Sequence, residues 1–393
     1  MQIIGIILVV LFFIVLILIH ELGHFIAAKK SGVKVEEFGL GIPPKVCTLY
    51  TDKSGTNYTL NAIPLGGFVK LKGEDPSTTG EFYAKDSMMG QPLWKRLIIL
   101  SGGVVMNLIL GFVIFVGCFM YGVEPIVVIP DNSIAIESDS YFFPSYSFAQ
   151  KEGILERQGE DKKLLINEVM QGSLAEKGGL LSGDKILTIN SKEVSSNNVS
   201  ESLFALSGKS FPLTYERDGV ENEINIQCPE DNCLLGIAYS GTNNKINPVK
   251  FGFFQSFGAA AHEIKAQTNI SFYALGTIGK GLFSFDKEKI NQSVEKLSGP
   301  VGAGKIWHMI YQNSFVQFIA FGGLISIALA IFNFLPIPAL DGGRAASMII
   351  QKVFALNPDK YFKVEEYINL VFFVLLMAFG IFIIYKDIVR FYI

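Results

Sequence analysis

The chain has 393 residues, of which half are hydrophobic and only 18% are charged, with a formal net charge of -3. Soluble domains carry about 25% charged residues, so this composition excludes a single soluble globule and favours a membrane protein. The 33 basic and 36 acidic residues include no long run of Lys or Arg, which argues against a nucleic-acid partner. Four cysteines without a C-x-x-C pair also exclude a disulfide scaffold and a cysteine zinc cluster.

Four apolar segments have the length of membrane-spanning helices. Residues 3–19 are apolar throughout and, with their helical continuation to Phe25, reach the roughly 20 residues that a bilayer core requires. The other segments cover about 97–122, 315–337 and 367–385. A cleaved signal peptide is the alternative for the first segment, but no basic region precedes it and no small-x-small site follows it.

The charges between the spans predict their orientation. Residues 26–96 hold ten Lys or Arg against seven Asp or Glu, whereas residues 124–296 hold 16 against 23. Positive charge accumulates on the cytoplasmic side, so the first of these segments is expected in the cytoplasm and the second outside. Four spans then place both termini outside.

The long outer segment contains short strand-like runs separated by turn residues. The runs LLINEV, KILTIN, FPLTYER and ENEINIQ predict a small β-rich domain over residues 164–240. Within it, GLLSGDKILTIN resembles the signature of PDZ domains, in which a tight Gly-Asp turn enters a strand. PDZ domains bind an extended peptide along an open sheet edge. A generic β-domain is the alternative.

Two cysteines of this outer segment, Cys228 and Cys233, bracket a short loop. An extracytoplasmic compartment allows a disulfide between them. Two free thiols are the alternative.

The strongest chemical signal follows the first apolar run, where His20, Glu21 and His24 form an H-E-x-x-H pattern. Helix positions four apart are rotated by about 40° and rise about 6 Å, so both imidazoles can converge on one ion, and zinc fits. Glu21 lies about 100° round the helix from His20, which makes it the candidate general base for water. Ionisable groups at membrane depth cost about 2.5–3.5 kcal/mol each, which favours a functional site.

A second His-Glu pair occurs at His262 and Glu263, but alanine stands where the H-E-x-x-H pattern requires its second histidine. We expect that copy to lie on a surface helix.

A catalytic zinc needs a third protein ligand. The third span ends in a stretch with two prolines, which break the helix, followed by Asp341. The charge pattern places this end on the same side as the two histidines, so Asp341 is the candidate third ligand. A helix terminator with an acidic turn is the alternative.

HELGH on the first span, a PDZ-like outer domain and NFLPIPALDGG on the third span together resemble the site-2 protease family of intramembrane zinc metalloproteases, in its RseP-like branch. The resemblance implies a bacterial inner-membrane enzyme with one Zn²⁺ held by His20, His24 and Asp341. It also implies that Glu21 is the catalytic acid/base and that Asn333 helps to hold the substrate backbone. Arg344 stands where this branch often has histidine.

Two further segments resemble parts of the same family. Residues 102–107 (GGVVMN) are similar to its Gly-rich stretch of the second span, and residues 61–71 to its membrane-dipping β-hairpin. A helical substrate hides its amides in internal hydrogen bonds and must be extended before cleavage. The sequence therefore predicts that an edge strand of the hairpin pairs with the substrate, an ordinary cytoplasmic hairpin being the alternative. The strand residues are Gly66, Gly67, Phe68 and Val69.

Asn107 and Asn333 are polar residues within apolar spans. We expect both to donate or accept hydrogen bonds with the substrate. Hydrogen bonds between helices are the alternative for each.

The predicted fold is an α-helical polytopic membrane protein with about four transmembrane helices, one extracytoplasmic β-rich PDZ-like domain and a membrane-associated β-hairpin. Residues 1–123 are predicted to hold the first two spans, the H-E-x-x-H motif and the cytoplasmic hairpin loop, and residues 124–163 a linker or insertion. Residues 164–240 are predicted to form the PDZ-like domain, and residues 241–310 an extracytoplasmic segment before the third span. Residues 311–393 are predicted to hold the last two spans and the LDG motif.

The predicted function is cleavage of single-span membrane proteins inside the lipid bilayer by a zinc metalloendopeptidase. The resemblance suggests anti-sigma factors trimmed by an earlier cleavage, or signal-peptide remnants, as substrates. A PDZ-bearing scaffold without metal and a transporter with broken helices are the alternatives.

Overall fold

The structure is a computed structural model of the chain, and it describes residues 2–74, 84–129, 138–157, 164–170, 173–194, 199–229, 233–240, 244–282, 284 and 299–392. Parts of the predicted linker, residues 130–137 and 158–163, lie outside the described residues. The chain divides into two compact units, Met1–Val123 with Lys250–Ile393, and Glu124–Val249.

The helices and strands are, in chain order, α1 (Gln2–Ser31), β1 (Val35–Thr51), β2 (Asn57–Leu71), α2 (Leu93–Tyr121), α3 (Tyr146–Lys151), β3 (Leu155–Arg157), β4 (Leu164–Val169), α4 (Leu174–Lys177), β5 (Lys185–Ile189), β6 (Lys192–Glu193), α5 (Val199–Phe204), β7 (Ser210–Arg217), β8 (Val220–Gln227), β9 (Ile237–Ser240), β10 (Asn244–Ile246), α6 (Phe253–Leu282), α7 (Pro300–Asn313), α8 (Phe315–Phe334), α9 (Asp341–Val353) and α10 (Pro358–Tyr392).

Four helices of the first unit are long and apolar enough to cross a bilayer. They are Ile7–Ser31, Leu93–Tyr121, Phe315–Phe334 and Lys360–Val389, within α1, α2, α8 and α10. These ranges overlap the four predicted apolar segments, and the chain is therefore a polytopic membrane protein. In α8, half of the most apolar stretch is buried within the protein, whereas in α10 only 6% of that stretch is buried. Helix α10 therefore exposes most of its apolar surface to lipid.

Helices α1 and α2 cross at two glycines. A Cβ atom at Gly23 would lie 2.1 Å from the carbonyl oxygen of Gly102, and one at Gly102 would lie 2.5 Å from the carbonyl oxygen of Gly23. Membrane helices approach closely where small residues meet, and a larger residue here would push the two helices apart. The crossing lies next to His24, so it fixes the position of that histidine relative to α2.

Helix α6, where the sequence analysis expected a surface helix around His262 and Glu263, packs against α2 and α8 in the first unit. The rings of Phe112 and Phe257 lie 6.0 Å apart at this contact. Glu263 is fully buried and accepts a hydrogen bond from Gln267 at 2.6 Å. The expectation of a surface helix was therefore wrong for Glu263, because the helix carries large apolar residues on several sides and packs against its neighbours.

Strands β1 and β2 form a hairpin that is longer than predicted, and residues 61–71, where the sequence placed the hairpin, lie within β2. Residues 37–40 of β1 pair with two parts of β2, residues 57–60 and residues 67–70. The second of these parts is an edge of the sheet, since no other strand of the described chain pairs with it. This edge holds the residues that were predicted to receive the substrate.

The base of the hairpin belongs to an apolar core shared with several helices. The buried members are Ala28, Val33, Val35, Leu71, Met88, Met89, Ile99, Leu100, Met348 and Phe362. They come from α1, both strands, α2, α9, α10 and the connections before β1 and before α2. This core joins the H-E-x-x-H helix to the helix that begins at Asp341.

The second unit contains a β-sheet with the strand order β8-β7-β5-β4-β9, and the short strand β6 pairs with β5. A separate pair joins β10 to β3. The sheet covers a core that includes Leu164, Ile186, Phe211 and Leu213, all at most 1% exposed. A β-rich domain is therefore present where the sequence predicted one.

The buried carboxylate of Asp184, in the predicted Gly-Asp turn, is held by Arg217 of β7. Arg217 donates from Nε to Oδ1 at 2.7 Å and from an Nη atom to Oδ2 at 2.6 Å, and the Leu181 amide donates at 2.8 Å. Burial alone would raise the pKa of Asp184, but these hydrogen bonds and the positive charge of Arg217 hold it below its ordinary value.

Cys228 and Cys233 form a disulfide in this unit, with their Cα atoms 5.1 Å apart. Cys47 and Cys118 are free thiols.

Candidate metal centre

Two turns of α1 and the start of α9 bring three side chains to one point. The Nε2 atoms of His20 and His24 lie 3.1 and 3.2 Å from Oδ2 of Asp341, and they lie 3.2 Å from each other. His20 and His24 are buried, and Asp341 is partly buried. Among the described residues, these three are the group of His, Cys, Asp and Glu side chains whose donor atoms converge in this way.

The donor set fits zinc. Donors that lie 2.0–2.1 Å from one tetrahedral ion are about 3.3 Å from each other, close to the three separations found here. Two imidazoles and one carboxylate are also a common catalytic zinc set, which leaves a fourth position open for water or substrate.

The outer nitrogens of both rings have neighbours in α2. Nδ1 of His24 lies 2.9 Å from the backbone oxygen of Ile99, which accepts its proton and fixes the ring. Nδ1 of His20 lies 3.3 Å from the side-chain Nδ2 of Asn107. Each ring therefore presents Nε2 to the site and Nδ1 to α2.

The loop before α9 places Asp341 through contacts with the last spanning helix. Ala339 has a positive φ of 73°, and its amide donates to Oδ1 of Asn369 in α10 at 3.0 Å. A Cβ atom at Gly342 would lie 2.3 Å from the Phe334 carbonyl oxygen, so glycine lets the chain turn back on the end of α8. Asp341 is thus held from two helices.

An ion pair fixes the same region from the hairpin side. The Arg344 guanidinium, one turn into α9, donates to the carboxylate of Glu74, which follows β2. This contact ties the helix that carries Asp341 to the sheet that lies beside α1.

Glu21 lies between the metal centre and the edge of the hairpin. A Cβ atom at Gly67 would lie 3.9 Å from Cγ of Glu21 and 2.8 Å from Leu18 in α1. A Cβ atom at Gly66 would lie 3.3 Å from Ile17. The two glycines therefore let β2 run directly against the helix that carries the H-E-x-x-H motif.

A cavity of about 300 Å³ adjoins Asp341. Its lining combines apolar side chains of α2 and α9 with Asn333 near the end of α8. The lining includes Leu100, Val104, Asn333, Asp341, Ala345 and Ile349. Asn333, which the sequence placed near the substrate, thus shares a cavity with the third candidate ligand.

The sequence analysis missed several residues that hold the centre in place: Glu74, Ile99 and Asn369. Asn369 had a signal, because it is a polar residue inside the last apolar run. Ile99 acts through its backbone oxygen, and Glu74 through a contact with Arg344, which lies 270 positions away in the chain. The sequence therefore carries no signal for either residue.

Comparison with known proteins identifies the family. The model of Peptidase family M50 matches residues 8–379. The zinc metalloprotease RasP of Geobacillus kaustophilus is 26% identical over 427 residues, covering 96% of both chains. A Campylobacter jejuni protein named as a candidate zinc metalloprotease, Cj1068, is 32% identical over 381 residues, or 95% of this chain and 90% of its own.

The family match covers nearly the whole chain, which has four helices long and apolar enough to span a membrane and a donor set that fits zinc. This match agrees with the resemblance found in the sequence. The scaffold and transporter alternatives are not favoured. The chain belongs to peptidase family M50, the site-2 proteases, and is an intramembrane zinc metalloendopeptidase.

Proposed function

We propose that His20, His24 and Asp341 hold one Zn²⁺ and that Glu21 is the catalytic acid/base. The observation that carries this proposal is the convergence of Nε2 of both histidines and Oδ2 of Asp341 within 3.1 to 3.2 Å of one another. When bound, zinc supplies a Lewis acid that polarises the peptide carbonyl and acidifies water.

Glu21 is one residue from His20 on the same helix and faces the hairpin edge, where the peptide would lie. Its carboxylate takes a proton from the attacking water and returns it to the leaving amine. The surrounding helices keep bulk water away from these groups, so the charge on Glu21 acts in a medium of low dielectric constant.

The substrate binds as an extended strand along residues 66–69. The support is the free edge of β2 and its closeness to Glu21. Backbone hydrogen bonds from the edge replace those that the substrate loses when its helix unwinds.

Asn333 holds the substrate backbone beside the scissile bond. The support is its place in the cavity next to Asp341. The rest of the cavity is lined mainly by apolar side chains, so a substrate side chain of moderate size and low polarity fits it best.

The second unit acts as a PDZ-like domain over residues 164–240, and it lies outside the cytoplasm with both termini. The support is the Gly-Asp turn held by Arg217, the edge strand β9, and the acidic excess of residues 124–296. The Cys228–Cys233 disulfide agrees with an oxidising compartment.

The enzyme acts in a bacterial inner membrane on single-span proteins that an earlier cleavage has shortened. Anti-sigma factors and signal-peptide remnants have this form. The PDZ-like domain then excludes substrates that still carry a bulky outer part.

The test compares variants of the full chain in detergent for zinc content and for cleavage of a single-span substrate. We expect Glu21→Gln to keep stoichiometric zinc and lose cleavage, whereas His24→Ala and Asp341→Ala lose zinc. His308→Ala is the matched control, because His308 lies in α7 outside the donor set, and it should retain both. Full activity of Glu21→Gln would refute the role given to that carboxylate.

The same Glu21→Gln variant serves as a trap in the native membrane. Proteins that co-purify with it, and not with a Glu21→Gln, Asn333→Leu double variant, are the expected substrates. Recovery of intact, untrimmed proteins would contradict the size limit assigned to the PDZ-like domain.

A further inference from the structure

Asn107 is a fully buried residue of α2 that lies behind His20. Its Nδ2 atom is 3.3 Å from Nδ1 of His20, and its Oδ1 atom is buried without a hydrogen-bond partner. The Ser326 hydroxyl of α8 donates to the backbone oxygen of Asn107 at 2.8 Å. The side-chain amide thus contacts a histidine ring and does not line the cavity beside Asp341.

The ring nitrogen that faces the metal determines whether the other nitrogen of the same histidine carries the proton. His20 turns Nε2 toward Asp341 and His24. A neutral imidazole that binds a metal through Nε2 carries its proton on Nδ1, so Nδ1 becomes a donor and requires an acceptor. His24 has such an acceptor in the Ile99 carbonyl. The neighbour of His20 at this position is the Asn107 amide.

We propose that Asn107 is a positioning residue whose side-chain oxygen accepts the Nδ1 proton of His20. Rotation about its Cβ–Cγ bond exchanges the amide oxygen and nitrogen and places Oδ1 where Nδ2 now lies. The carbonyl oxygen is then paired, and the NH₂ group takes the place of the unpaired oxygen. The inference rests on the ligation by His20 proposed above.

This role differs from the substrate contact predicted for Asn107 from the sequence, which stays a prediction. An acceptor behind a metal-bound imidazole fixes the tautomer and the ring orientation and makes the ligand more basic. Removal of such a partner typically weakens metal binding about 10–100-fold.

The experiment measures zinc affinity of the full chain in detergent by competition with a chelator. Asn107→Leu removes the acceptor, and we expect the zinc dissociation constant to rise about 10–100-fold. Asn107→Asp keeps an acceptor and loses the donor, and we expect its zinc affinity to stay within about threefold of the parent, because a carboxylate also accepts the Nδ1 proton.

Ser326→Ala is the matched control, because it removes a buried hydrogen bond to the same residue without touching the ring. Its zinc affinity should equal that of the parent. The melting temperature of each zinc-free variant distinguishes a folding defect from a loss of metal binding. If Asn107→Leu does not fold, Asn107→Ala removes the same acceptor with a smaller side chain, and the same rise in the zinc dissociation constant is expected.

Unchanged zinc affinity in folded Asn107→Leu would overturn the proposal, and so would an Asn107→Asp variant that folds but loses zinc. If both variants keep zinc and lose kcat/KM, Asn107 contacts the substrate and does not position His20. His24→Ala tests the ligand set separately, since zinc bound as tightly to that variant would refute the metal centre whatever Asn107 does.

Discussion

Gly103 of α2 lies directly against His24. A Cβ atom at Gly103 would be 2.5 Å from His24 Nε2 and 2.5 Å from Cε1 of His20, closer than any real contact of such atoms. The metal centre therefore needs glycine at this position, because the space that a methyl group would take belongs to the two imidazoles.

Gly103→Ala should displace both rings and weaken zinc binding about tenfold or more, the size of effect found when ligand orientation is lost. Zinc content and chelator competition measure this directly. Gly117→Ala is the control on the same helix, because no atom lies within 4 Å of the Cβ it would add. Equal zinc affinity in the two variants would contradict the close fit at Gly103.

Gly67→Ala should separate the hairpin edge from α1. The added Cβ would lie 2.8 Å from Leu18 and 2.9 Å from the carbonyl oxygen of Gly39, so the strand has to move. We expect kcat/KM for a single-span substrate to fall about tenfold or more, because misplacement of a bound substrate by about 1 Å costs rates of this order or greater. Zinc content should be unchanged, and a variant that lost zinc instead would show that β2 supports the metal centre and not the substrate.

Two substitutions at the contact between Ala339 and Asn369, next to Asp341, should change the stability of the protein in opposite directions. Ala339→Gly relieves a left-handed residue and should stabilise the protein by about 1 kcal/mol. Asn369→Leu removes the acceptor of the Ala339 amide and should cost about 1–3 kcal/mol. Thermal unfolding in detergent measures both. A destabilising Ala339→Gly would mean that the loop adopts another conformation.

The stability of the second unit should depend on pH through Asp184. Its pKa is lowered on folding, because the hydrogen bonds and charge of Arg217 outweigh burial. A carboxyl with a lowered pKa stabilises the fold at a pH above its unfolded pKa of about 3.9, and this contribution is lost as the pH falls through the folded value. The protection factor of the Leu181 amide, which is the intrinsic hydrogen-exchange rate divided by the observed rate at the same pH, should therefore be constant from about pH 7 to pH 5 and fall below about pH 4.

Asp184→Asn gives the comparison for that measurement. It should exchange faster at pH 7, since Arg217 loses its charged partner, and should lose the acid-dependent step. An unchanged step in Asp184→Asn would assign the pH dependence to another group.

The sequence predicted the spanning helices well because a bilayer sets one length and one composition for them. H-E-x-x-H was equally informative, since helix geometry alone places His20 beside His24. The position of Asp341 was harder to predict. Charge counting predicts a side of the membrane for it, but not the bend that turns it toward the histidines. That bend depends on Asn369 and Gly342, and their contacts are long-range.

Helix α6 shows the opposite case. Its segment mixes glycine, polar and aromatic residues, so neither apolar length nor a clean amphipathic period marked it. Its fully buried Glu263 was expected at a surface because no single sequence reveals which face of such a helix meets neighbours.

The donors of the metal centre are separated by 321 positions in the chain, with His20 near its beginning and Asp341 close to its end. A ribosome must therefore finish almost all of the protein before the third donor exists. During synthesis, the histidine motif enters the membrane without a carboxylate to complete it. The centre can therefore be completed only after the third span and the start of α9 have been synthesised.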